Sequence, residues 1–290
     1  MIFDTYVALP AAEGDATPDP SVAALFAAGG SAYSAGGSVE SVVADYQTHD
    51  VRYGLLTKVP RDITPPFVPA MRMDDNLVHS TCQKLVEAAE AYPGRFVLSL
   101  GLDPSLGYQA ARHVRIAVEE YGIRNIRILP MFTGIPIDSP LAYPLYTAAC
   151  DLGVSVAINV GVPGTMKPAR LQRTILIDEV ALCFPDLVLV MSHVGDPWVD
   201  ETIAMLGKHP NVYLMTAGFT PRRLPEKLVS FMDSSRGRAK VMWASYFPLL
   251  AVERCVTEAK ALPLRPESME AYLGANALRV FGTPDQSPGE

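Results

Sequence analysis

The chain has 290 residues, 49% of them apolar and 19% charged, which is enough for one large folded core. Its 31 acidic and 24 basic residues give a net charge of −7, which disfavours nucleic acid and anionic membrane surfaces as partners. The sequence shows no signal-peptide pattern and no uncharged apolar run of about 18 residues, so we expect a cytoplasmic protein without a membrane span.

Short apolar segments rich in β-branched residues alternate with helical patterns along most of the chain. Such segments are typical of strands that are buried on both faces. The predicted strands are 2–9, 52–59, 95–102, 123–131, 154–161, 187–195, 211–218 and 240–247. The predicted helices are 75–92, 107–121, 142–152, 170–183, 198–208, 221–233, 249–261 and 267–280. Eight strands that alternate with helices predict a (β/α)8 TIM barrel. A doubly wound open sheet is the alternative, but no GxGxxG follows the first strand.

One segment interrupts this alternation. Residues 10–50 are too long for an ordinary βα loop, and they follow the end of the first strand, where they would lie over the active-site face. We interpret them as a lid or a dimer contact with helix at 21–28 and 38–46, and a disordered insertion is the alternative. The predicted organisation is a single barrel domain over 1–282 with a flexible tail at 283–290.

The spacing of the four cysteines does not indicate a paired motif. None has CxxC spacing, and Cys82, Cys150 and Cys183 lie in apolar, helix-like contexts. We therefore expect them to be small buried side chains.

Two residues point to a site at the strand ends. His193 ends the sixth predicted strand, where barrel enzymes place their catalytic groups. It is either an acid/base or a histidine satisfied by hydrogen bonds in the barrel mouth. Arg127 lies within the fourth strand, where a charge is costly unless it is paired or faces the mouth. It is predicted either to bind a substrate carboxylate or to form a structural salt bridge.

Several motifs resemble those of the amidohydrolase superfamily, in the branch of aminocarboxymuconate-semialdehyde decarboxylase. The resemblance covers nearly the whole chain. Its most specific parts are LVLVMSHVGDPWVDE at strand 6 and AYLGANALRVFG in the closing helix. It implies a TIM barrel that acts as a hydrolase or a lyase, and it implies a dimer, because dimers are common in that family.

The metal ligands that the resemblance implies are replaced in this chain. The family carries D-x-H-x-H on its first strand, and here that place has Tyr6 and Ala8. The histidine of the fifth strand is Asn159, and the aspartate of the eighth is Tyr246. Only His193 remains, so we expect no metal and no cofactor. A weaker alternative is a metal site built from Asp4, His193 and another acidic residue.

The resemblance also places further residues near the mouth. It implies that Tyr6, Asn159 and Tyr246 face inward, either to donate hydrogen bonds to a substrate oxygen or to fill the space of the lost metal. Two loops would supply peripheral substrate-binding residues. Arg222 would contact an anion or stand at a helix start, and Asp196 would orient His193 or cap the next helix. Trp198 follows in the same loop.

These residues support two hypotheses of different class. The first is a metal-independent hydrolase or decarboxylase that acts on a small carboxylated aromatic, ring-cleavage product or lactone. In it His193 is the acid/base, Tyr6, Asn159 and Tyr246 orient the substrate, and Arg127 anchors a carboxylate. The second is a catalytically inactive amidohydrolase homologue that binds a ligand or pairs with an active homologous subunit. An open polar pocket would favour the enzyme, and a mouth plugged by tyrosines would favour the second.

Overall fold

The computed structural model describes residues 1–9, 37–59 and 73–285 of the chain. In these ranges eight parallel strands pair in sequence order, each with the next. They are β1 (Ile2–Ala8), β2 (Val51–Lys58), β3 (Phe96–Gly101), β4 (Asn125–Ile128), β5 (Ser155–Asn159), β6 (Leu189–Ser192), β7 (Val212–Met215) and β8 (Val241–Met242).

A helix follows each strand in the described part of the chain. These helices are α1 (Val39–His49), α2 (Asp75–Glu90), α3 (Tyr108–Arg115), α4 (Tyr143–Asp151), α5 (Ile177–Cys183), α6 (Val199–Lys208), α7 (Glu226–Met232) and α8 (Val252–Lys260). Two closing helices, α9 (Pro266–Glu270) and α10 (Asn276–Phe281), are joined by a π-helical turn. None of the helices in the described ranges combines the length and the apolar character that crossing a bilayer requires.

Hydrogen bonds between the first and last strands bring the sheet round on itself. The backbone N–H of Thr5 donates to the carbonyl of Trp243 at 3.1 Å, and that of Ala8 donates to Phe247 at 2.9 Å. An isolated parallel bridge joins Val7 to Phe247. The predicted (β/α)8 TIM barrel is therefore confirmed, and the open doubly wound sheet is wrong.

The inside of the barrel is filled by a small apolar cluster that is separate from the main core between strands and helices. Seven strands contribute to this inner cluster: Phe3, Leu55, Val97, Ala157, Val190, Met215 and Met242. β4 instead contributes two polar side chains at alternate positions, Asn125 and Arg127, and both are buried. The Asn125 side chain accepts a hydrogen bond from Ser99 Oγ at 2.8 Å and donates one to Ser155 Oγ at 2.9 Å, both on neighbouring strands. Arg127 lies one layer nearer to the carboxyl ends of the strands.

Some predicted elements differ from the structure in extent. The strand predicted at 187–195 ends at Ser192, because His193 and Gly195 have positive φ angles that extended backbone does not allow. The helix predicted at 170–183 begins at Ile177. It is preceded by two short 3₁₀ turns, between which Arg173 is extended. The helix predicted at 38–46 is α1, whereas the one predicted at 21–28 lies outside the described residues.

The cysteines differ from each other in exposure. Cys82 and Cys255 are buried and Cys150 is half-buried, but Cys183 at the end of α5 is exposed. The expectation that Cys183 is a buried side chain is therefore wrong. It lies on the outer face of a short helix, where the apolar neighbours in its sequence do not cover it.

Candidate active site at the carboxyl ends of the strands

His193 follows the last residue of β6 and has a left-handed backbone, with φ at +72°. Its Nδ1 lies 2.7 Å from the carbonyl oxygen of Ala217. A carbonyl only accepts, so Nδ1 carries the proton and donates it, and the neutral ring keeps its lone pair on Nε2. The absence of a side chain at Gly218 allows this contact, since a Cβ atom there would clash with Nδ1 at 2.6 Å.

The imidazole of His193 is neutral at physiological pH. Its pKa is lowered from 6.5 to about 4, mainly by burial and also by the positive charge of Arg127, against the opposing effect of the hydrogen bond to Ala217. The acid/base role of His193 stays a prediction. In its neutral form the imidazole would have to take up a proton before it could return one.

Two tyrosines stand beside this imidazole. Tyr246 follows β8 and also has a positive φ, +64°, and its ring meets that of His193 edge-on with centroids 5.2 Å apart. The ring of Tyr6 lies 4.6 Å from that of Tyr246. Among described residues other than glycine only Asp50, His193 and Tyr246 have positive φ angles, so two of the three strained residues lie in the mouth. Such strain is concentrated at functional sites in proteins.

Arg127 lies beneath these rings, with 1% of its surface exposed. Its Nη2 donates to Asn159 Oδ1 at 2.6 Å and to Ser192 Oγ at 2.9 Å, and its Nη1 lies 4.0 Å from Met215 Sδ. The Tyr6 ring covers the guanidinium at 4.4 Å. No carboxylate of the described residues pairs with Arg127, and its Nε has no acceptor. Within the described residues Arg127 therefore does not form the structural salt bridge that was the alternative.

A buried carboxylate joins the two ends of the chain beside the tyrosines. Asp4 is fully buried, and it accepts hydrogen bonds from the backbone of Tyr6 at 3.2 Å and of Ser245 at 2.8 Å. The hydroxyls of Tyr46, at 3.0 Å, and of Ser245 donate to its other oxygen. Burial raises the pKa of Asp4 from 3.8 to about 6, against the opposing effect of these four donors.

Three site residues were not selected in the sequence analysis. Ser192 precedes His193 and shares the inward face of β6 with Val190, so the alternation of the strand could have found it. Ser245 lies within the eighth-strand motif next to Tyr246. Tyr46 lies on α1, and no signal in the sequence links it to Asp4.

The remaining predicted residues lie away from this cluster. Arg222 is exposed in a 3₁₀ turn (Pro221–Arg223), and its backbone N–H donates to Glu258 at 3.2 Å. Asp196 is exposed. Its carboxylate neither caps α6, whose N-cap residue is Trp198, nor bonds to His193, whose Nδ1 is held by Ala217. Both predicted roles of Asp196 are therefore wrong. Trp198 is half-buried, and the guanidinium of Arg173 lies 5.8 Å from its ring.

Comparisons with known proteins agree on the family. The amidohydrolase family model matches residues 57–283, and the chain therefore belongs to the amidohydrolase family. No curated protein sequence matches.

Solved structures share the fold at low sequence identity. An uncharacterized TIM-barrel protein from Bordetella bronchiseptica has 22% identity and a TM-score of 0.78 over 96% of this chain and 97% of that one. A 5-carboxyvanillate decarboxylase from Novosphingobium aromaticivorans, complexed with manganese and a nitrobenzoic acid, has 15% identity and a TM-score of 0.72 over 97% and 96%. A 2,6-dihydroxybenzoate decarboxylase from Rhizobium has 13% identity and a TM-score of 0.67 over 97% of both chains.

The described mouth does not fit a metal of the kind bound in the Novosphingobium structure. A divalent ion in a catalytic site needs about three protein ligands. Both oxygens of Asp4 already accept two hydrogens each, and the oxygen of Asn159 accepts from Arg127. Of these described ligand candidates only Nε2 of His193 is left. Within the described ranges no group of three or more histidine, cysteine or acidic side chains is arranged to hold a metal, so the alternative built on Asp4, His193 and another acidic residue finds no support there.

Proposed function

We propose that this protein is a metal-independent enzyme of the amidohydrolase family that binds a small carboxylate at the barrel mouth. The reaction classes that fit are hydrolysis of an activated C–O bond and decarboxylation. The observation that carries the proposal is Arg127, a guanidinium with 1% exposure that has only neutral partners.

A buried charge without a counter-charge is costly, and proteins retain one where it has a use. Asn159 and Ser192 hold Nη2 in place, while Nε has no acceptor and Nη1 contacts only a thioether sulfur. A ligand carboxylate would supply the missing negative charge together with an acceptor for Nη1 or Nε. The Tyr6 and Tyr246 rings beside it favour a flat ligand, because stacked or edge-on ring pairs add to the burial of apolar surface.

His193 supplies the proton transfer in this proposal. In hydrolysis its Nε2 takes a proton from the attacking water molecule, and the imidazolium formed returns that proton to the leaving oxygen as the C–O bond breaks. In decarboxylation Nε2 takes the proton of a substrate hydroxyl, and the imidazolium gives it to the ring carbon as the bond from that carbon to CO₂ breaks. General-base catalysis of this kind contributes about 10² to 10⁴-fold. That range suits an activated substrate such as a lactone or an enol ester. The neighbouring structures named for 5-carboxyvanillate and dihydroxybenzoate support an aromatic carboxylate as the ligand class.

The first experiment measures the binding of 2,6-dihydroxybenzoate and of resorcinol, which is the same ring without the carboxylate. By calorimetry the unmodified protein should bind the carboxylate compound at least about 10-fold more tightly, since a charge-assisted pair contributes about 1.5–3 kcal/mol. Arg127→Met should remove that preference, and Arg127→Lys should keep part of it. Equal affinity for both compounds in the unmodified protein would reject the proposal.

A catalytically inactive ligand-binding protein is the second candidate. It is favoured by the Tyr6 ring that covers the guanidinium and by the low pKa of His193, which weakens the imidazole as a base. His193→Ala separates the two. In the enzyme it abolishes turnover and leaves the melting temperature within a few degrees, whereas in a binding protein no turnover exists to lose. A homodimer, pairing with an active homologous subunit and a cytoplasmic location remain predictions.

A further inference from the structure

We infer that Asp4 is a positioning residue that holds Tyr6 and Tyr246 together over the Arg127 and His193 pair. It lies behind the mouth and acts through the backbone of the two segments that carry the tyrosines. The inference concerns how the site is assembled, and only the ligand part of its test rests on the proposed function.

One carboxylate oxygen links the two tyrosine-bearing segments directly. Oδ1 of Asp4 accepts from the N–H of Tyr6 at 3.2 Å, and from the N–H of Ser245, the residue before Tyr246, at 2.8 Å. The two donors come from opposite ends of the chain and are brought together where the barrel closes. This atom therefore links the end of β1 to the segment after β8 at the two tyrosines, between the backbone bonds that join Thr5 to Trp243 and Ala8 to Phe247.

The second carboxylate oxygen of Asp4 also contacts the segment after β8. Oδ2 accepts from the hydroxyl of Ser245 and from that of Tyr46 on α1. The Ser245 hydroxyl in turn accepts from the N–H of Phe247 at 3.1 Å, so the residues on both sides of Tyr246 are held. Tyr246 has a φ of +64°, an uncommon conformation for a residue with a Cβ atom, and such a conformation persists only where surrounding contacts enforce it.

The link between the two segments depends on Oδ1, since both backbone N–H groups donate to that atom. Asp4→Asn keeps an acceptor oxygen in its place, and its NH₂ group would face the hydroxyls of Tyr46 and Ser245, which can accept as well as donate. Asp4→Asn should therefore behave like the unmodified protein. Asp4→Ala removes Oδ1 and with it the link, which makes it the sharpest variant.

Tyr46→Phe is the matched control. It deletes one hydrogen bond to Asp4 and leaves both backbone bonds that reach the tyrosine segments. Tyr46 lies on α1, buried among main-core side chains, and touches neither Arg127 nor His193 among the contacts of the described residues. A role of Asp4 in general stability predicts similar results for both variants, whereas a positioning role predicts different ones.

The test compares the unmodified protein, Asp4→Ala and Tyr46→Phe by tyrosine-selective NMR, using the cross-peak between the Tyr6 and Tyr246 rings, whose centroids are 4.6 Å apart. We expect this cross-peak to be lost in Asp4→Ala and kept in Tyr46→Phe. In parallel, affinity for 2,6-dihydroxybenzoate should fall at least about 10-fold in Asp4→Ala and stay within about 2-fold in Tyr46→Phe. Melting temperatures record the loss of stability in each.

The inference is overturned if Asp4→Ala retains the cross-peak, or if Asp4→Ala and Tyr46→Phe lose it alike. If Asp4→Ala does not fold, Ser245→Ala takes its place. That change removes the bonds of the serine hydroxyl to Asp4 and to Phe247 but keeps both backbone bonds to Oδ1, so the cross-peak should weaken without being lost, and an unchanged cross-peak would overturn the inference. If the unmodified protein does not bind the probe, the proposed function fails, and the cross-peak still decides the role of Asp4.

Discussion

The guanidinium carbon of Arg127 lies 4.4 Å from the centre of the Tyr6 ring, in the geometry of a cation–π contact. The contact extends further, because Tyr6 packs against Tyr246 and Tyr246 meets His193 edge-on. The buried guanidinium of Arg127 and the imidazole of His193 are thus connected through the rings of Tyr6 and Tyr246, which pack at a tilt of 37° to each other. A change at either end of this series should be detectable at the other.

Replacement of Arg127 should weaken the binding of a carboxylate ligand but change the stability of the fold only slightly. Arg127→Met removes a buried charge that has no counter-charge, and the new thioether can pack beside Met215. The loss of donors to Asn159 and Ser192 opposes this gain by about 1–3 kcal/mol. We therefore expect the free energy of unfolding, measured in urea at pH 7, to change by less than about 2 kcal/mol. A loss above about 4 kcal/mol would show that Arg127 serves the fold.

The pH dependence of turnover should report the low pKa of His193. Only the neutral imidazole accepts a proton, and its pKa is about 4. For any substrate that is turned over, kcat/KM should rise as the pH increases through about 4 and should show no inflection near 6.5 that depends on His193. Rates measured from pH 3.5 to 8 check this. Because Asp4 has a pKa of about 6, the profile is also measured for Asp4→Asn, and a limb near 6.5 that persists in that variant would mean that the His193 ring is solvated in the working enzyme.

Asp4 and His193 should have opposite effects on stability between about pH 4 and 6. Asp4 has a pKa of about 6 in the fold against 3.8 unfolded, so it binds more protons when folded, and its contribution is lost as the pH rises. His193 has a pKa of about 4 against 6.5, so it binds fewer protons when folded, and its contribution is lost as the pH falls. In the unmodified protein the two trends largely cancel.

Variants should expose each trend separately. Relative to the unmodified protein, His193→Gln should become less stable as the pH rises from 4 to 6.5, because the contribution that grows with pH is missing. Asp4→Asn should show the opposite slope. Each change is at most about 3 kcal/mol, at about 1.4 kcal/mol per pKa unit. Urea unfolding at the two pH values measures it, and parallel slopes in all three proteins would contradict the assignment.

The order of elements could be predicted from the sequence because parallel strands buried on both faces are continuous apolar runs. The site residues were selected on separate grounds. His193 was selected because it lies at a strand end, and Arg127 because a charge within a buried strand is costly without a partner or a place at the mouth. The family resemblance implied that Tyr6, Asn159 and Tyr246 face inward. The length of β6 was overestimated because the left-handed backbone of His193 cannot be read from residue type.

The contacts of the site could not be predicted in the same way. Asp4 and Ser245 are 241 positions apart, and Tyr46 reaches them from a helix, so only the closed barrel brings the three together. The tautomer of His193 depends on the carbonyl of Ala217, a backbone group that has no signature in the sequence. Asp196, by contrast, had the residue type and spacing of a helix cap, but the structure leaves its side chain exposed.

Gly218 offers a direct test of the imidazole's position, and Gly134 is its control. Both have positive φ angles, +81° and +76°, so replacement by alanine strains the backbone of each by a similar amount, about 1 kcal/mol. A Cβ atom at Gly218 would lie 2.6 Å from Nδ1 of His193, whereas at Gly134 it would meet nothing within 4 Å. Gly218→Ala should therefore displace the ring, break its hydrogen bond to Ala217 and lower turnover at least about 10-fold, while Gly134→Ala lowers only the melting temperature. The extra atom at Gly218 cannot be accommodated without moving the imidazole. Equal activity in the two variants would therefore mean that the orientation of His193 set by Ala217 does not matter for turnover.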